Sequence, residues 1–266
     1  MLYFSSQLNL HKHKPAADRM FAALDLFNIK YKLLNNTNDI WARDYMPVKT
    51  RSGKYVSFRY EPSYLANNPQ LRTNFKIDIA PNFKVDNLIY TDINLDGGNV
   101  VFSPSKEKVI ISDRVFSENP EYDKNTLLLE LEKLLEASLI IIPSLKSDMT
   151  GHADGMVRFV DENTVVTNAL LSPYGFETKV KKSLRNYGFN VIDFPYFYSK
   201  GDSAVGCYLN YLATEKSIFL PVFGVDTDNG AIKLAKNIFD KTIILVNINE
   251  IAEYGGLLNC ISWEFE

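Results

Sequence analysis

The sequence predicts an α/β fold made of one repeated unit that packs in a circle or a solenoid. Apolar periodicity recurs in the order strand, strand, helix, strand, with a period of roughly 50 residues. About five such units fit the chain if a C-terminal strand completes the first unit. A doubly wound sheet would also alternate strands and helices, but no GxGxxG or GxxxxGKS/T phosphate loop is present to support one.

In the first half of the chain, strict alternation predicts strands, and apolar residues three and four apart predict helices. Pro15 suits a first helical turn, and residues 16–27 continue with helical spacing. Large aromatics beside charges predict a loop at 40–47, and residues 62–75 are expected to hold one short helix. The predicted strands are residues 1–10, 31–34, 55–60, 88–90, 100–102 and 109–112.

In the second half, residues 122–137 form the clearest helix, with leucines along one side. Further helices are predicted at 177–187 and 231–239. The predicted strands are residues 139–142, 156–160, 164–167, 190–194, 207–213, 218–221, 242–246 and 255–263. No linker or low-complexity segment interrupts the chain, so residues 1–266 are expected to form a single domain.

The composition excludes several classes of function. The net charge of −3 implies no basic surface for nucleic acid. The N-terminus lacks the basic start and apolar core of a signal peptide, and no apolar run is long enough to span a membrane. Two cysteines cannot form a disulfide framework, although one bridge stays open, and a cytoplasmic protein with reduced thiols is expected.

His152 is the histidine whose surroundings best fit acid–base chemistry. It lies in Thr150-Gly151-His152-Ala153-Asp154-Gly155, directly before an apolar segment. In a strand, His152 and Asp154 would point to the same face, which pairs a titratable base with a carboxylate. A turn histidine capped by Asp154 is the structural alternative. His11 and His13 are expected to be solvated, since no nearby carboxylate or thiol completes a metal site.

Two polar segments also have both a structural and a functional interpretation. In Trp41-Ala42-Arg43-Asp44, the charges form a local salt bridge, or Asp44 faces a cationic ligand while Trp41 stacks on a planar group. Asp96-Gly97-Gly98-Asn99 is predicted to be a turn.

The two cysteines differ in context. Cys260 follows Gly255-Gly256 and is either a small buried hydrophobe or a nucleophile that needs a cationic or proton-accepting neighbour. Cys207 is expected to be a core residue of the predicted strand at 207–213, with Asn210 on the opposite face.

These residues together favour a substrate that is cationic and electrophilic at carbon. The sequence contains neither GxSxG nor CxxC, which leaves Cys260, His152 and aspartates at two distant places. A guanidinium fits, because carboxylates hold its nitrogens in a planar fork while a thiolate attacks its central carbon.

The chain resembles the agmatine deiminase and bacterial peptidylarginine deiminase family of guanidine-modifying enzymes from about residue 35 to its end. Five segments match family motifs in order and spacing. They are Trp41-Ala42-Arg43-Asp44, Asp96-Gly97-Gly98-Asn99, Gly151-His152-Ala153-Asp154, Tyr208-Leu209-Asn210-Tyr211 and Tyr254 to Cys260. The resemblance implies a five-bladed α/β propeller (a pentein) of pseudo-fivefold ββαβ repeats, which agrees with the repeat count.

The resemblance implies a hydrolytic deiminase that needs no metal or organic cofactor. Its substrate would be a small cationic guanidino compound, with agmatine, converted to N-carbamoylputrescine and ammonia, as the leading candidate. Cys260 would attack the guanidinium carbon, Asp44 and Asp154 would hold its nitrogens, and His152 would protonate the departing ammonia and then activate water. The residues expected to bind substrate are Trp41, Asp44, Asp96, Asp154, Asn210 and Arg59.

The chain departs from the family pattern at three points. Tyr45-Met46-Pro47 replaces a Thr-Gly-Pro, Asn259 replaces the His before the nucleophile, and the glycine run is shorter. Arginine or peptidylarginine therefore stays open as a substrate, with Arg59 as the partner for a carboxylate. An amidinotransferase, a noncatalytic propeller that binds a partner, and a homo-oligomer also stay open; no nucleic-acid or membrane partner is expected.

Overall fold

The computed structural model describes residues 1–169 and 175–265, and within them the chain forms five three-stranded sheets. The strands are β1 Leu2–Ser5, β2 Tyr31–Leu34, β3 Val48–Lys49, β4 Tyr55–Arg59, β5 Leu88–Asn94, β6 Val101–Phe102, β7 Lys108–Ser112, β8 Ser138–Ile142, β9 Val157–Phe159, β10 Thr164–Asn168, β11 Asn190–Phe194, β12 Leu212–Ala213, β13 Ser217–Val222, β14 Thr242–Asn247 and β15 Ser262–Glu264. The α-helices are α1 Lys14–Leu26, α2 Ala42–Tyr45, α3 Arg114–Glu118, α4 Lys124–Leu135, α5 Phe176–Asn186, α6 Thr227–Ile238 and α7 Asn249–Ala252.

Every sheet has the same internal pattern. Its middle strand pairs antiparallel with one edge strand and parallel with the other. The five strand orders are β15-β1-β2, β3-β4-β5, β6-β7-β8, β9-β10-β11 and β12-β13-β14. Because parallel neighbours need a crossover, a helical connection joins the second and third strands of each blade. This arrangement confirms the predicted five-bladed α/β propeller of ββαβ repeats.

The first blade joins the two ends of the chain. In β15 and β1, Leu2 lies opposite Glu264 and Phe4 opposite Ser262. Beyond the ladder, the amide of Phe265 donates to the carbonyl of Met1 at 2.9 Å, and the Met1 amino group donates to the carbonyl of Phe265 at 2.8 Å. A C-terminal strand therefore completes the first unit, as the repeat predicts.

Helix α4 shows why the predicted helices form where they do. Asp123 caps its N-terminus by accepting from the amides of Asn125 and Thr126, and Glu136 ends it in a left-handed conformation with φ 55°. Its apolar stripe is buried against the sheet at Leu127, Leu131 and Leu135. Burial of each such leucine contributes on the order of 2 kcal/mol. None of the helices described here is long and apolar enough to cross a membrane.

The predicted single helix at 62–75 is wrong. The crossover of the second blade consists instead of short turns: 3-10 turns at Ser63–Leu65, Pro69–Leu71 and Ala80–Asn82 and one π turn at Phe75–Ile79. Proline has no amide hydrogen and clashes with the preceding turn, so each proline in this stretch starts a new short segment.

Three boundaries near the candidate site also differ from the predictions. The predicted loop at 40–47 contains helix α2, the strand at 207–213 shrinks to Leu212–Ala213, and the strand at 255–263 shifts to Ser262–Glu264. The cause at 207–211 is long-range hydrogen bonding. The carbonyl of Asn210 accepts from the amide of Asn259 at 3.1 Å, and its side-chain oxygen accepts from the amide of Cys260 at 3.2 Å.

Candidate active site

A cavity of about 220 Å³ gathers most of the predicted site residues. Helix α2, the 3-10 turn Ala153–Gly155, the irregular segment at 207–211 and the closing segment at 254–260 all contribute to its wall. The predicted residues that line it are Trp41, Asp44, His152, Asp154, Asn210 and Cys260. Segments that are far apart in sequence therefore meet at one place.

Asp44 lies on α2, and the predicted turn at Asp96–Asn99 explains how it is held. The amide of Gly98 donates to Asp44 Oδ1 at 3.0 Å. A Cβ atom at Gly98 would lie 2.6 Å from both Asp44 Oδ1 and His152 Nδ1, and one at Gly97 would lie 2.1 Å from the carbonyl oxygen of Arg43. The two glycines thus allow the backbone to approach the site closely.

His152 lies between two carboxylates. Its Nε2 is 2.8 Å from Asp96 Oδ2, and its Nδ1 is 3.6 Å from Asp44 Oδ1. The hydroxyl of Tyr64 donates to the same Asp96 oxygen at 2.9 Å. Burial opposes a charge on the imidazole, but Asp44 and Asp96 outweigh it and raise the pKa of His152 to about 10. His152 is therefore an imidazolium at neutral pH.

Asp154 follows His152 by two residues, but a turn and not a strand brings both to the cavity. Its Oδ2 accepts from the side-chain amides of Asn210 at 3.0 Å and Asn259 at 2.7 Å. These two bonds leave Oδ1 as the oxygen able to accept from a ligand.

Cys260 lies against Asp154 and Asn210. Its Sγ is 3.7 Å from Asp154 Oδ2 and 3.1 Å from Nδ2 of Asn210. Burial raises the pKa of the Cys260 thiol well above its usual value, and the charges of Asp154 and Asp44 add to this effect. Burial likewise raises the pKa of Asp44, with Asp96 and Asp154 adding to it against the opposing charge of His152. A cation bound in the cavity would lower both pKa values, because it stabilises the thiolate of Cys260 and the carboxylate of Asp44.

Trp41 forms part of the wall next to Gly256. A Cβ atom at Gly256 would lie 2.4 Å from Cζ3 of the Trp41 ring, so only glycine leaves the ring in place. The backbone amide of Arg43 donates to the carbonyl of Cys260 at 3.0 Å, which joins α2 to the closing segment.

Two predicted substrate-binding residues do not line this cavity. Asp96 is not among the lining residues and instead forms a hydrogen bond to His152, which it holds in place. Arg59, the last residue of β4, donates to Glu121 at 2.9 Å and is not among the lining residues.

The prediction that Cys207 and Asn210 occupy opposite faces of a strand fails. Both line the cavity, because the segment between them is not extended. The thiol of Cys207 donates to the carbonyl of Gly155 at 3.3 Å, and burial raises its pKa to about 12.

Sequence reasoning missed Tyr64 as a site residue and left the role of Asn259 open. Tyr64 lies in the proline-interrupted crossover, where no periodicity marks it. It also missed the acidic mouth. The acidic residues that line the cavity are Asp44, Asp148, Asp154, Glu177 and Asp202, and no lysine or arginine is among its described lining residues.

Comparisons with known proteins agree with this fold. The C. jejuni agmatine deiminase structure is similar with a TM-score of 0.78 at 18% identity, covering 98% of this chain and 92% of that one. A structure of DDAH from Pseudomonas aeruginosa in complex with citrulline is similar with a TM-score of 0.64 at 12% identity, covering 99% of this chain and 98% of that one.

Among curated proteins, one from Lactococcus lactis named "Putative agmatine deiminase" is 35% identical over 63 residues, or 23% of this chain. The matched segment spans only 17% of that relative's length. The profile of the Porphyromonas-type peptidyl-arginine deiminase family, by contrast, matches residues 6–265. The chain belongs to the Porphyromonas-type peptidyl-arginine deiminase family.

Proposed function

We propose that this protein is a cysteine-dependent hydrolytic deiminase of a small guanidino compound, with agmatine as the substrate and residues 1–266 as one catalytic domain. The observation that carries the proposal is the convergence of a thiol, an imidazolium and two buried carboxylates on one cavity. Similar proteins named as agmatine deiminases support the same chemistry.

The charges of the site favour a guanidinium. Asp44 and Asp154 line the same cavity as Cys260, and both carboxylates raise the pKa of its thiol. A guanidinium bound between them would offset this effect and lower the thiol pKa where a nucleophile is needed. Substrate binding would therefore itself promote formation of the thiolate.

The reaction then proceeds in two halves. When substrate binds, the thiol proton of Cys260 passes to solvent. The thiolate Sγ then forms a bond to the guanidinium carbon while the imidazolium of His152 gives its proton to the departing nitrogen, so that the C–N bond breaks and ammonia leaves. The neutral His152 next takes a proton from water, which attacks the thiouronium carbon. The C–S bond breaks, and the ureido product and the thiol are released. Asp96 holds His152 throughout through the bond of 2.8 Å.

The mouth of the cavity favours agmatine over arginine. Asp148, Glu177 and Asp202 contribute carboxylates to the lining, which suit an amine at the far end of the substrate. An arginine substrate would place a carboxylate there instead. Arg59, the cation expected to bind such a carboxylate, is paired with Glu121 outside the cavity.

Release of ammonia from agmatine, arginine and a peptidylarginine, measured side by side, tests the proposal. We expect the highest kcat/KM with agmatine and loss of activity in Cys260→Ala. Cys207→Ala is the matched control, because it removes the other of the two thiols from the same cavity wall. Full activity of Cys260→Ala, or no ammonia from any guanidine, would refute the proposal.

A further inference from the structure

A second, larger cavity of about 560 Å³ lies where the five blades meet. Each of the five antiparallel edge strands contributes to its lining. The lining residues from these strands include Val48 and Lys49 of β3, Val101 and Phe102 of β6, Phe159 of β9, Ala213 of β12, and Trp263 and Glu264 of β15. We call this space the axial cavity. Asp154 lines both cavities, so a thin partition of protein separates them.

The two cavities carry opposite charge. The described lining of the axial cavity includes five cationic side chains and two carboxylates. The cationic residues are Arg43, Lys49, Lys106, Arg158 and Lys241, and the acidic ones are Asp154 and Glu264. The chain as a whole has a net charge of −3, so this concentration of positive charge is local. A concave surface of one sign attracts ions of the other sign.

Two guanidinium groups are the fixed part of this lining. Arg158 stacks over the ring of Tyr211, with 4.3 Å to its centroid, and donates to the carbonyl of Tyr211 at 3.1 Å. Arg43 donates through Nε to the carbonyl of Asn259 at 3.4 Å. Burial lowers the pKa of Arg43 and the charge of Arg158 lowers it further, while the carboxylates of Asp154 and Glu264 act in the opposite direction. The two cations repel each other, and the two carboxylates of the lining are fewer than its five cations, so an anion between the guanidinium groups would relieve the repulsion that is left.

We propose that the axial cavity binds a small oxyanion, a phosphate or a carboxylate, between the guanidinium groups of Arg43 and Arg158. Guanidinium groups present parallel N–H donors that match the spacing of oxygens in both kinds of anion. Arg158 is preorganised by its stacking and its bond to the Tyr211 carbonyl, so little of its conformational freedom is lost on binding. This site is separate from the acidic cavity and does not depend on the proposed deiminase activity.

The two tryptophans of the chain allow each cavity to be observed separately. Trp41 lines the acidic cavity, and Trp263 lines the axial cavity. In Trp41→Phe, inorganic phosphate and acetate are titrated in parallel at constant ionic strength while Trp263 fluorescence is recorded. We expect a saturable change with at least one anion, and the two titrations distinguish phosphate from carboxylate. Trp263→Phe keeps Trp41 as its tryptophan and should show no saturable change in fluorescence with either anion.

Arg158→Gln should weaken that binding at least tenfold, whereas Arg185→Gln, at an exposed arginine of α5, should leave it unchanged. If Arg158→Gln does not fold, Lys241→Gln at the rim provides the second variant and should weaken binding several-fold. The proposal is wrong if sodium chloride reproduces the fluorescence change, if neither anion saturates it, or if the folded variants bind as the parent does.

Discussion

The side-chain amide of Asn259 donates a hydrogen bond of 2.7 Å to Oδ2 of Asp154. Asn210 donates to the same oxygen, so two neutral donors fix this carboxylate at any pH near neutrality. Asn259 is the residue at which the chain departs from the family pattern directly before Cys260. Its amide supplies an N–H donor that a histidine could also supply, and the departure is therefore compatible with a functional site.

Asn259→Asp is expected to lower kcat/KM for agmatine by about 100-fold, because a second carboxylate would face Asp154 in a buried site. Asn259→His, which retains an N–H donor, should lose less than about tenfold. Steady-state kinetics of ammonia release measure both, and thermal denaturation shows whether each variant is folded. Equal losses in the two folded variants would contradict a role for the donated hydrogen bond.

Asp96→Asn is expected to move the alkaline limb of the pH profile to lower pH. The carboxylates of Asp44 and Asp96 raise the pKa of His152 to about 10, and the imidazolium form is the one that protonates ammonia. Activity should therefore fall as the pH rises through that value. Removing one of the two negative charges lowers the pKa of His152, by on the order of one unit.

The measurement is kcat/KM against pH for the parent and Asp96→Asn. Titration of the substrate amine is common to both proteins, so the difference between the curves reports on the enzyme. An alkaline limb that stays at the same pH, or moves upward, would show that Asp96 does not support the charge of His152.

Gly98→Ala is expected to abolish most activity while the protein stays folded. The new methyl would lie 2.6 Å from both Asp44 Oδ1 and His152 Nδ1, and must separate that pair. We expect a loss of about 100-fold in kcat/KM, since displacement of reacting groups by about 1 Å has effects of this size. Gly230→Ala, in α6 and outside the described lining of the cavity, is the control, because a Cβ atom there would make only an ordinary contact of 3.5 Å with Cγ of Pro195. Similar kinetics for both variants would rule out steric control at Gly98.

Glu177→Gln is expected to raise KM for agmatine several-fold with little change in kcat. Glu177 is half-buried at the mouth of the acidic cavity, where it attracts the distant amine without contacting the reacting carbon. The difference in KM between the two proteins should diminish in high salt, because salt screens the attraction between the Glu177 carboxylate and the amine. Glu130→Gln, at an exposed position of α4, serves as the control. A fall in kcat at constant KM would contradict the assignment.

Glu136→Gln is expected to lower the free energy of unfolding at pH 7 by about 1 kcal/mol. Its carboxylate accepts from Lys54 at 2.7 Å and from the amide of Ser52 at 3.0 Å. Lys54 and Ser52 lower the pKa of Glu136 from 4.5 to about 2. A lowered folded-state pKa stabilises the fold above pH 4.5, and that contribution disappears as the pH falls toward 2.

Urea denaturation of the parent and Glu136→Gln at pH 7 and pH 3 measures this difference. The gap between the two proteins should narrow at the lower pH. A gap that is constant across this range would show that the effect of the substitution does not come from the charge.

Periodicity predicted about five repeated units, because each unit buries its apolar face in the same way, and the family resemblance implied that these units form a propeller. It did not predict which polar groups meet between blades. Asn259 and Asp154 are 105 residues apart, and no pattern within either segment refers to the other. Tyr64 lies in a crossover that has no apolar periodicity to mark it. Arg59 lies in the strand that alternation predicted, but its side chain pairs with Glu121, 62 residues away. Such pairings depend on tertiary geometry and not on local propensity.

The pairing of β15 with β1 has a consequence for the order of folding. Contacts between residues 2–4 and 262–264 have nearly the largest sequence separation that the chain permits, and contacts of such high contact order form late. Cys260 lies two residues before β15, on the segment that makes this last connection. A partly folded chain would therefore carry its thiol away from His152 and Asp154, and recovery of catalytic activity during refolding would report on the moment at which the ring of blades closes.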